Sequence, residues 1–334
     1  MSRRPMAPLF SALLPMTLSK SDRLDDCLPA DLRAPTTTIT TIAGGLSGAG
    51  VHRIDAKGRT FVLKISKSDE SIDAWRVRLE ILRLAADAGV APQVVHTDEA
   101  CRAVLSEFIT GKPFVAAYGD PRTREAAVDD LGRTLRRVHD LPVPASADSR
   151  SPRELLAATW SGLSATAGIP AFVGDAVRRV LDEAPPRSGR DAVLSHNDVN
   201  PGNLVYDQER LLLVDWDAAG RNDPYFDLAA IALFHRMDDQ TCRRLLAAHD
   251  GEPVAEIPAV FAYTRRLIAV LAPVMGMQLY NEHEPASTGR TETLESTLPL
   301  GAFYQKLRAG ELRLDSPEGR RAFGLSLIKE SFVL

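Results

Sequence analysis

Apolar and polar positions change their period near residue 110 of this 334-residue chain. Before that point the apolar runs are short and β-branched. Thr38–Ile42 reads as a strand, and Val51–Asp55 and Thr60–Ile65 as two more, joined by a turn at Lys57-Gly58-Arg59. Ile72, Trp75, Leu79, Leu82 and Ala86 recur at helical spacing, which predicts a helix over Ser71–Ala88 with Gly89 as its C-cap. Val94-Val95-His96 and Ala103–Ile109 complete a small sheet. Beyond Gly111-Lys112-Pro113 long helical segments take over. Ala127, Leu131, Leu135 and Val138 share one face of a helix from Glu125 to Asp140, and 151–184 and 238–334 are mostly helical in pattern. The expectation is an α+β chain with a leader (1–35), a small β-rich lobe (36–109) and a larger, mainly helical lobe (110–334). No internal repeat is visible, and only 142–152 is linker-like.

Composition narrows the class. Hydrophobic residues at 45% and charged residues at 25% are ordinary for a globular protein, and a net charge of −4 favours neither nucleic acid nor an anionic membrane as partner. Cys27, Cys101 and Cys242 are odd in number, far apart and free of any CxxC pattern. Neither a disulfide framework nor a zinc site is expected, and a reducing cytoplasm fits. Arg3 and Arg4 precede an apolar run, as in a secretory signal. Pro5, Pro8 and Pro15 interrupt it, so a disordered leader is the expectation, with Met16 an alternative start. No stretch is read as approaching the ~20 apolar residues of a membrane span. Monomer and homodimer both stay open.

Candidate chemistry is concentrated in Ser195-His196-Asn197-Asp198-Val199-Asn200-Pro201-Gly202-Asn203 and the following Leu211-Leu212-Leu213-Val214-Asp215-Trp216-Asp217. Asp198 and Asn203 are five residues apart, the spacing of the kinase catalytic loop H-R-D-x-x-x-x-N. Singly, Asp198 reads as a turn or cap residue and Asn203 as a turn residue after Pro-Gly. Together with Asp215, pinned behind an apolar strand, they read as oxygen ligands for a Mg²⁺–nucleotide and a group that takes the proton of an acceptor hydroxyl. An ionised Asp215 in such a place needs a cation or donor. His196 reads as a structural hydrogen-bonding residue, and Asp217 as a metal, water or surface group. Lys64 is a charge inside the apolar strand Val62-Leu63-Lys64-Ile65. It reads either as an edge residue with its head in water or as an anchor for nucleotide phosphates paired with a helix glutamate, for which Glu80 is chosen over Glu70. The Gly44–Gly50 loop, with Gly48 and Gly50, could bring backbone N–H groups to phosphates. It has no P-loop ending, and Arg53 stands where G-x-G-x-x-G would end.

Lys64, Glu80, His196-Asn197-Asp198, Asn203, Asp215-Trp216-Asp217 and Asp223-Pro224-Tyr225-Phe226-Asp227-Leu228-Ala229 together resemble the aminoglycoside phosphotransferase/choline kinase family. Similarity is greatest to its bacterial choline/ethanolamine- and thiamine-kinase-like members, over about residues 38–236. The resemblance implies a protein-kinase-like fold of two lobes with ATP in the cleft. It implies Asp198 as the catalytic residue, Asn203 and Asp215 as Mg²⁺ ligands, Lys64 as the phosphate anchor and Glu107-Phe108-Ile109 as the hinge that meets adenine. Asp227 would brace the catalytic loop. Asp217 departs from the commoner glutamate of the family.

The acceptor, a small-molecule alcohol, is less legible. Tyr225, Tyr263, Tyr280, Phe303 and Tyr304 with Glu282 and Glu284 could enclose a quaternary ammonium, although aromatics at such positions are more often core; Asp238-Asp239 and the Glu282/Glu284 pair could form an acidic rim for an aminoglycoside. An amino-alcohol such as choline or ethanolamine is the first expectation, thiamine second, an aminoglycoside third. A metal-dependent hydrolase would need neither Lys64 nor the glycine loop, and a non-catalytic nucleotide-binding scaffold would not need both Asp198 and Asp215.

Overall fold

The computed structural model describes residues 24–42, 50–67, 69–149, 151–163, 168–208, 210–281 and 292–334. The first part is a five-stranded antiparallel sheet of β1 (Thr38–Thr41), β2 (Gly50–Ala56), β3 (Arg59–Ile65), β4 (Val94–Asp98) and β5 (Ala103–Glu107), in the order β1-β2-β3-β5-β4. Alternation along the strands works as expected. Ile54, Phe61, Leu63 and Leu105 point to one buried face, and it is covered by Leu28, directly after the 3-10 turn Asp25–Cys27, and Leu32, at the end of the 3-10 turn Ala30–Leu32. The end of the expected leader is therefore part of this core, while residues 1–23 lie outside the described residues.

One expectation is corrected here. Cys27 and Cys101 are disulfide-bonded with Cα atoms 5.9 Å apart, tying the N-terminal turn to the β4–β5 hairpin across 74 residues of sequence. Sequence spacing carried no trace of the bridge, because only the folded sheet brings the two cysteines together. The cysteine count no longer argues for a reducing compartment. Cys242 is a free, buried thiol.

Helix α1 (Ile72–Asp87) starts where Ser71 caps the Ala74 N–H, and its buried face turns Ile81, Ala85 and Ala86 into the larger core. That core is built from α2 (Phe114–Gly119), α3 (Arg124–His139), α4 (Pro152–Leu163), α5 (Ala171–Asp182), α6 (Tyr225–Phe234), α7 (Asp239–Asp250), α8 (Ala259–Asn281), α9 (Leu300–Arg308) and α10 (Pro317–Glu330). Into it are set β6 (Lys112–Pro113), β7 (Val193–Ser195), β8 (Leu204–Asp207), β9 (Arg210–Leu213) and β10 (Gly220–Asn222), which pair as β6-β8-β9 and β10-β7. Gly111 lets the connecting chain touch β8, since a Cβ there would lie 1.4 Å from the Tyr206 carbonyl oxygen.

A second correction concerns α8. Its Ala259–Gln278 window, 20 residues of mean hydropathy 1.3, is long and apolar enough to cross a membrane by length and composition. In the structure 72% of that window is buried within the protein, against α4, α6 and α10. A helix hydrophobic on all sides is what the centre of a large helical core requires.

Candidate active site

The segment after β7 is held from beneath by Asp227 of α6. Asp227 is fully buried; its Oδ2 accepts the His196 N–H at 2.7 Å and its Oδ1 the Asn197 N–H at 2.8 Å. Burial opposes its charge, but His139, 3.2 Å away through Nε2, and the His196 N–H together outweigh burial and hold the carboxyl below the usual range. Asn197 takes a left-handed φ of 63°, which asparagine tolerates better than most residues. Its carboxamide is fixed at both ends, donating to Ala218 O at 3.0 Å and accepting from Asn222 Nδ2 at 2.8 Å.

His196 is structural. Its Nδ1 accepts the Asp198 N–H at 3.3 Å, so Nε2 is the donor to Val214 O at 3.1 Å, and the ring packs edge-on against Trp216. Burial lowers its pKa and keeps it neutral.

Asp198 is 4% exposed. Asn200 Nδ2 donates to its Oδ1 and Asn203 Nδ2 to its Oδ2, both at 3.0 Å. Burial, reinforced by the charge of Asp215, pushes its pKa well above the usual carboxylate value, against the pull of these two amides. Asn203 Nδ2 also donates to the Asp198 carbonyl at 2.9 Å, which leaves the carboxamide oxygen for a cation. The Pro201–Asn203 turn between them is capped by Asn200, whose Oδ1 accepts the Gly202 N–H.

Asp215 ends the chain segment after β9 with a left-handed φ of 65°. Its Oδ1 meets Lys64 Nζ of β3 at 2.5 Å, so the sheet and the helical part touch at this point. Lys64 also reaches Asp217 Oδ2 at 2.7 Å. Burial would lower the lysine's pKa, yet Asp217 and Asp215 outweigh it and raise it. Asp217 is opposed by burial in the same way, and Lys64 and Arg78 hold its carboxyl low.

The expected Lys64–Glu80 pair is not formed. Glu80 is on the exposed face of α1, and it is Arg78 that reaches the segment after β9, with Nη1 2.9 Å from Asp217 Oδ1. Glu70, set aside in favour of Glu80, pairs with Arg78 Nη2 at 2.7 Å. In the expected hinge segment, the Glu107 N–H donates to Gln93 O at 3.0 Å and its side chain accepts from Arg59, so that N–H is spent before any ligand arrives. Ile109 is half-buried where the two parts join. Gly50 opens β2 opposite Ile65, and Gly48 lies outside the described residues.

Among the described residues, the aromatics expected around the acceptor do not form a box. Tyr225, Tyr263 and Phe303 are buried in the core, and the Tyr304 hydroxyl donates to Phe234 O. Arg190 covers the Tyr225 ring, and Arg153 donates to the Tyr263 hydroxyl. Asp238 caps α7 through the Thr241 N–H. The side chain of Tyr280, with Glu282 and Glu284, lies outside the described residues.

Among the described residues no three His, Cys, Asp or Glu side chains are grouped to hold a metal alone. The donor set still suits Mg²⁺ brought in with phosphates. Asn203 and Asp215 offer hard oxygens, and a Mg²⁺ that keeps phosphate and water ligands needs only one or two carboxylates.

Sequence reasoning missed Arg78, Ser66, Asn200 and Asn222. The polar bias of α1 (Arg76, Arg78, Arg83) was the one available signal for the first.

Fold and site define a two-lobed, kinase-like phosphotransferase architecture. The model of the phosphotransferase enzyme family matches residues 38–267, and the chain belongs to that family. Among solved structures it is similar to a choline/ethanolamine kinase family protein from Mesorhizobium loti, at 21% identity, 88% of this chain, 93% of that chain and a TM-score of 0.56. It is also similar to the choline kinase LicA of Streptococcus pneumoniae, at 18% identity, 75% of this chain, 88% of that chain and a TM-score of 0.55. A spectinomycin phosphotransferase solved with ADP and spectinomycin gives 18% identity, 88% and 93% coverage and a TM-score of 0.55. These identities carry the fold. By sequence, the protein LicA of Haemophilus influenzae is 47% identical over 36 residues, which span 11% of this chain and 14% of that protein.

Proposed function

We propose that the protein is an ATP- and Mg²⁺-dependent phosphotransferase that moves the γ-phosphoryl group to a hydroxyl of a small molecule. The observation that carries this reading is the meeting of Lys64 and Asp215 across the cleft, with Asp198 and Asn203 hydrogen-bonded to each other on one loop. Asp198 orients the acceptor hydroxyl and takes its proton as the oxygen bonds to phosphorus and the β–γ bridge bond breaks, releasing ADP. Asn203 and Asp215 hold the Mg²⁺, and Lys64 anchors the phosphates. The metal supplies charge neutralisation and geometry for the phosphates. His196 and Asp227 keep the loop in place and do no chemistry.

An amino-alcohol such as choline or ethanolamine remains the first acceptor, supported by the choline kinase relatives rather than by an aromatic cage. Thiamine and aminoglycosides follow. The spectinomycin and macrolide phosphotransferases with similar folds extend the panel.

A coupled ADP-release assay against these acceptors tests the reading. One acceptor should stimulate turnover, Asp198→Asn should abolish it, and Asp215→Ala should abolish the dependence of nucleotide binding on Mg²⁺. If no acceptor accelerates ADP release, or Asp198→Asn turns over normally, the phosphotransferase assignment fails.

A further inference from the structure

Asp217 stands two residues beyond the proposed metal ligand Asp215, yet its contacts lie in the other lobe. Each carboxylate oxygen has its own cation. Oδ2 takes Lys64 Nζ at 2.7 Å and Oδ1 takes Arg78 Nη1 at 2.9 Å. Arg78 is held in turn, its Nη2 donating to Ser66 Oγ at 2.6 Å and to Glu70 Oε2 at 2.7 Å. Ser66 directly follows β3, the strand that carries Lys64. The contacts thus close a ring from β3 through Ser66, Arg78 and Asp217 back to Lys64. The turn at its far side, Trp216–Ala218, packs on α1. Trp216 locks that turn to β9 by donating Nε1–H to Leu213 O at 2.9 Å.

A charge count shows what Arg78 adds. Asp215 and Asp217 both lean on Lys64, and two carboxylates sharing one ammonium compete for it. A second cation on Asp217 relieves that competition and leaves Lys64 free to serve Asp215 and a phosphate. A protein kinase achieves the same end with a helix glutamate that pairs with its lysine. Here the helix supplies the cation and the loop the acid.

We propose that Asp217 is the post by which the small lobe fixes the Asp215 turn, and that Arg78 is a positioning residue acting through it. On this assignment neither residue touches the acceptor, and Asp217 is not a metal ligand. The nucleotide part of the test rests on the phosphotransferase reading; the exchange part does not.

Arg78→Gln, Asp217→Asn and the double variant are compared with the wild type after circular dichroism and melting confirm that each is folded. Hydrogen exchange of the Ala219 amide, which donates to Trp216 O and closes the turn, is measured without ligand. Both single variants should exchange there at least fivefold faster than wild type; unchanged exchange overturns the proposal. By calorimetry with Mg²⁺ present, each single variant should weaken ADP binding about tenfold, equal to about 1.4 kcal/mol, because the Asp215 turn is no longer held in place. The double variant should be no weaker than the poorer single one, because both changes remove the same tie. Additive losses overturn the proposal. So does a defect of Asp217→Asn, not shared by Arg78→Gln, confined to the Mg²⁺ requirement or to acceptor KM. A wild type that binds no nucleotide would instead refute the proposed function, with the exchange result still deciding whether the tie exists.

Discussion

Replacing Asp227 with asparagine changes one atom and should dismantle the loop that carries Asp198. The carboxylate accepts three hydrogen bonds in a fully buried place: from the N–H groups of His196 and Asn197 and from His139. Oδ2 faces one backbone donor and Oδ1 the other, so an asparagine must point its NH₂ at an N–H in either orientation. One charge-assisted hydrogen bond is lost, about 1.5–3 kcal/mol, and a buried backbone N–H is left without an acceptor, about 1–3 kcal/mol more. Together these come to about 2.5–6 kcal/mol, which spans the range for removing one partner of a buried charged pair. At this chain length that corresponds to roughly 5–12 °C in Tm, taking about 2 °C per kcal/mol. Differential scanning calorimetry measures the total, and hydrogen exchange of the His196 and Asn197 amides localises it. If Asp227→Asn melts within about 1 °C of wild type with both amides still protected, the bracing role assigned to Asp227 is wrong.

Three further outcomes follow from particular side chains. Burial lowers the pKa of His235 to about 4, and its Nε2 is buried beside Phe114 and Tyr118 without a hydrogen-bond partner among the described residues. The folded protein takes this proton less readily than the unfolded chain. His235 therefore costs nothing above about pH 6.5, and its penalty grows as pH falls toward 4, to at most about 3 kcal/mol. Urea melts of wild type and His235→Phe should diverge over that window, and parallel curves would refute the assignment. Glu80→Gln should leave nucleotide affinity within about twofold, whereas Lys64→Ala should weaken it at least tenfold; equal losses would restore the pairing with Glu80. Thiol titration in denaturant without reductant should find one reactive cysteine, Cys242, and three would refute the Cys27–Cys101 bridge. Cys27→Ser should cost up to about 4 kcal/mol by loss of loop-closure entropy.

Much of the candidate site was legible because it is written in consecutive residues. Asn200, Pro201 and Gly202 make a turn by their own chemistry, and that turn sets Asp198 and Asn203 side by side whatever surrounds them. The apolar run before Asp215 and the charge at Lys64 inside a strand mark their positions as candidates for the same local reason. Strand alternation likewise gave the sheet, and helical spacing gave α1 and α3 to within a residue at each end.

What remained hidden depends on contacts between segments far apart in sequence. Residues two apart on a helix point about 200° from each other, so whether Arg78 or Glu80 faces the cleft is settled by the phase of α1. That phase is set by Ile81, Ala85 and Ala86 sinking into the larger core, and which side of the helix then meets Asp217 is decided by how the two parts pack. The same holds for Cys27 and Cys101, brought together by the folded sheet. The sequence by itself determined the kind of chemistry, because that chemistry is held in short loops. Tertiary structure alone decided which charges face one another, because the pairing of Lys64, Arg78 and Asp217 spans both lobes.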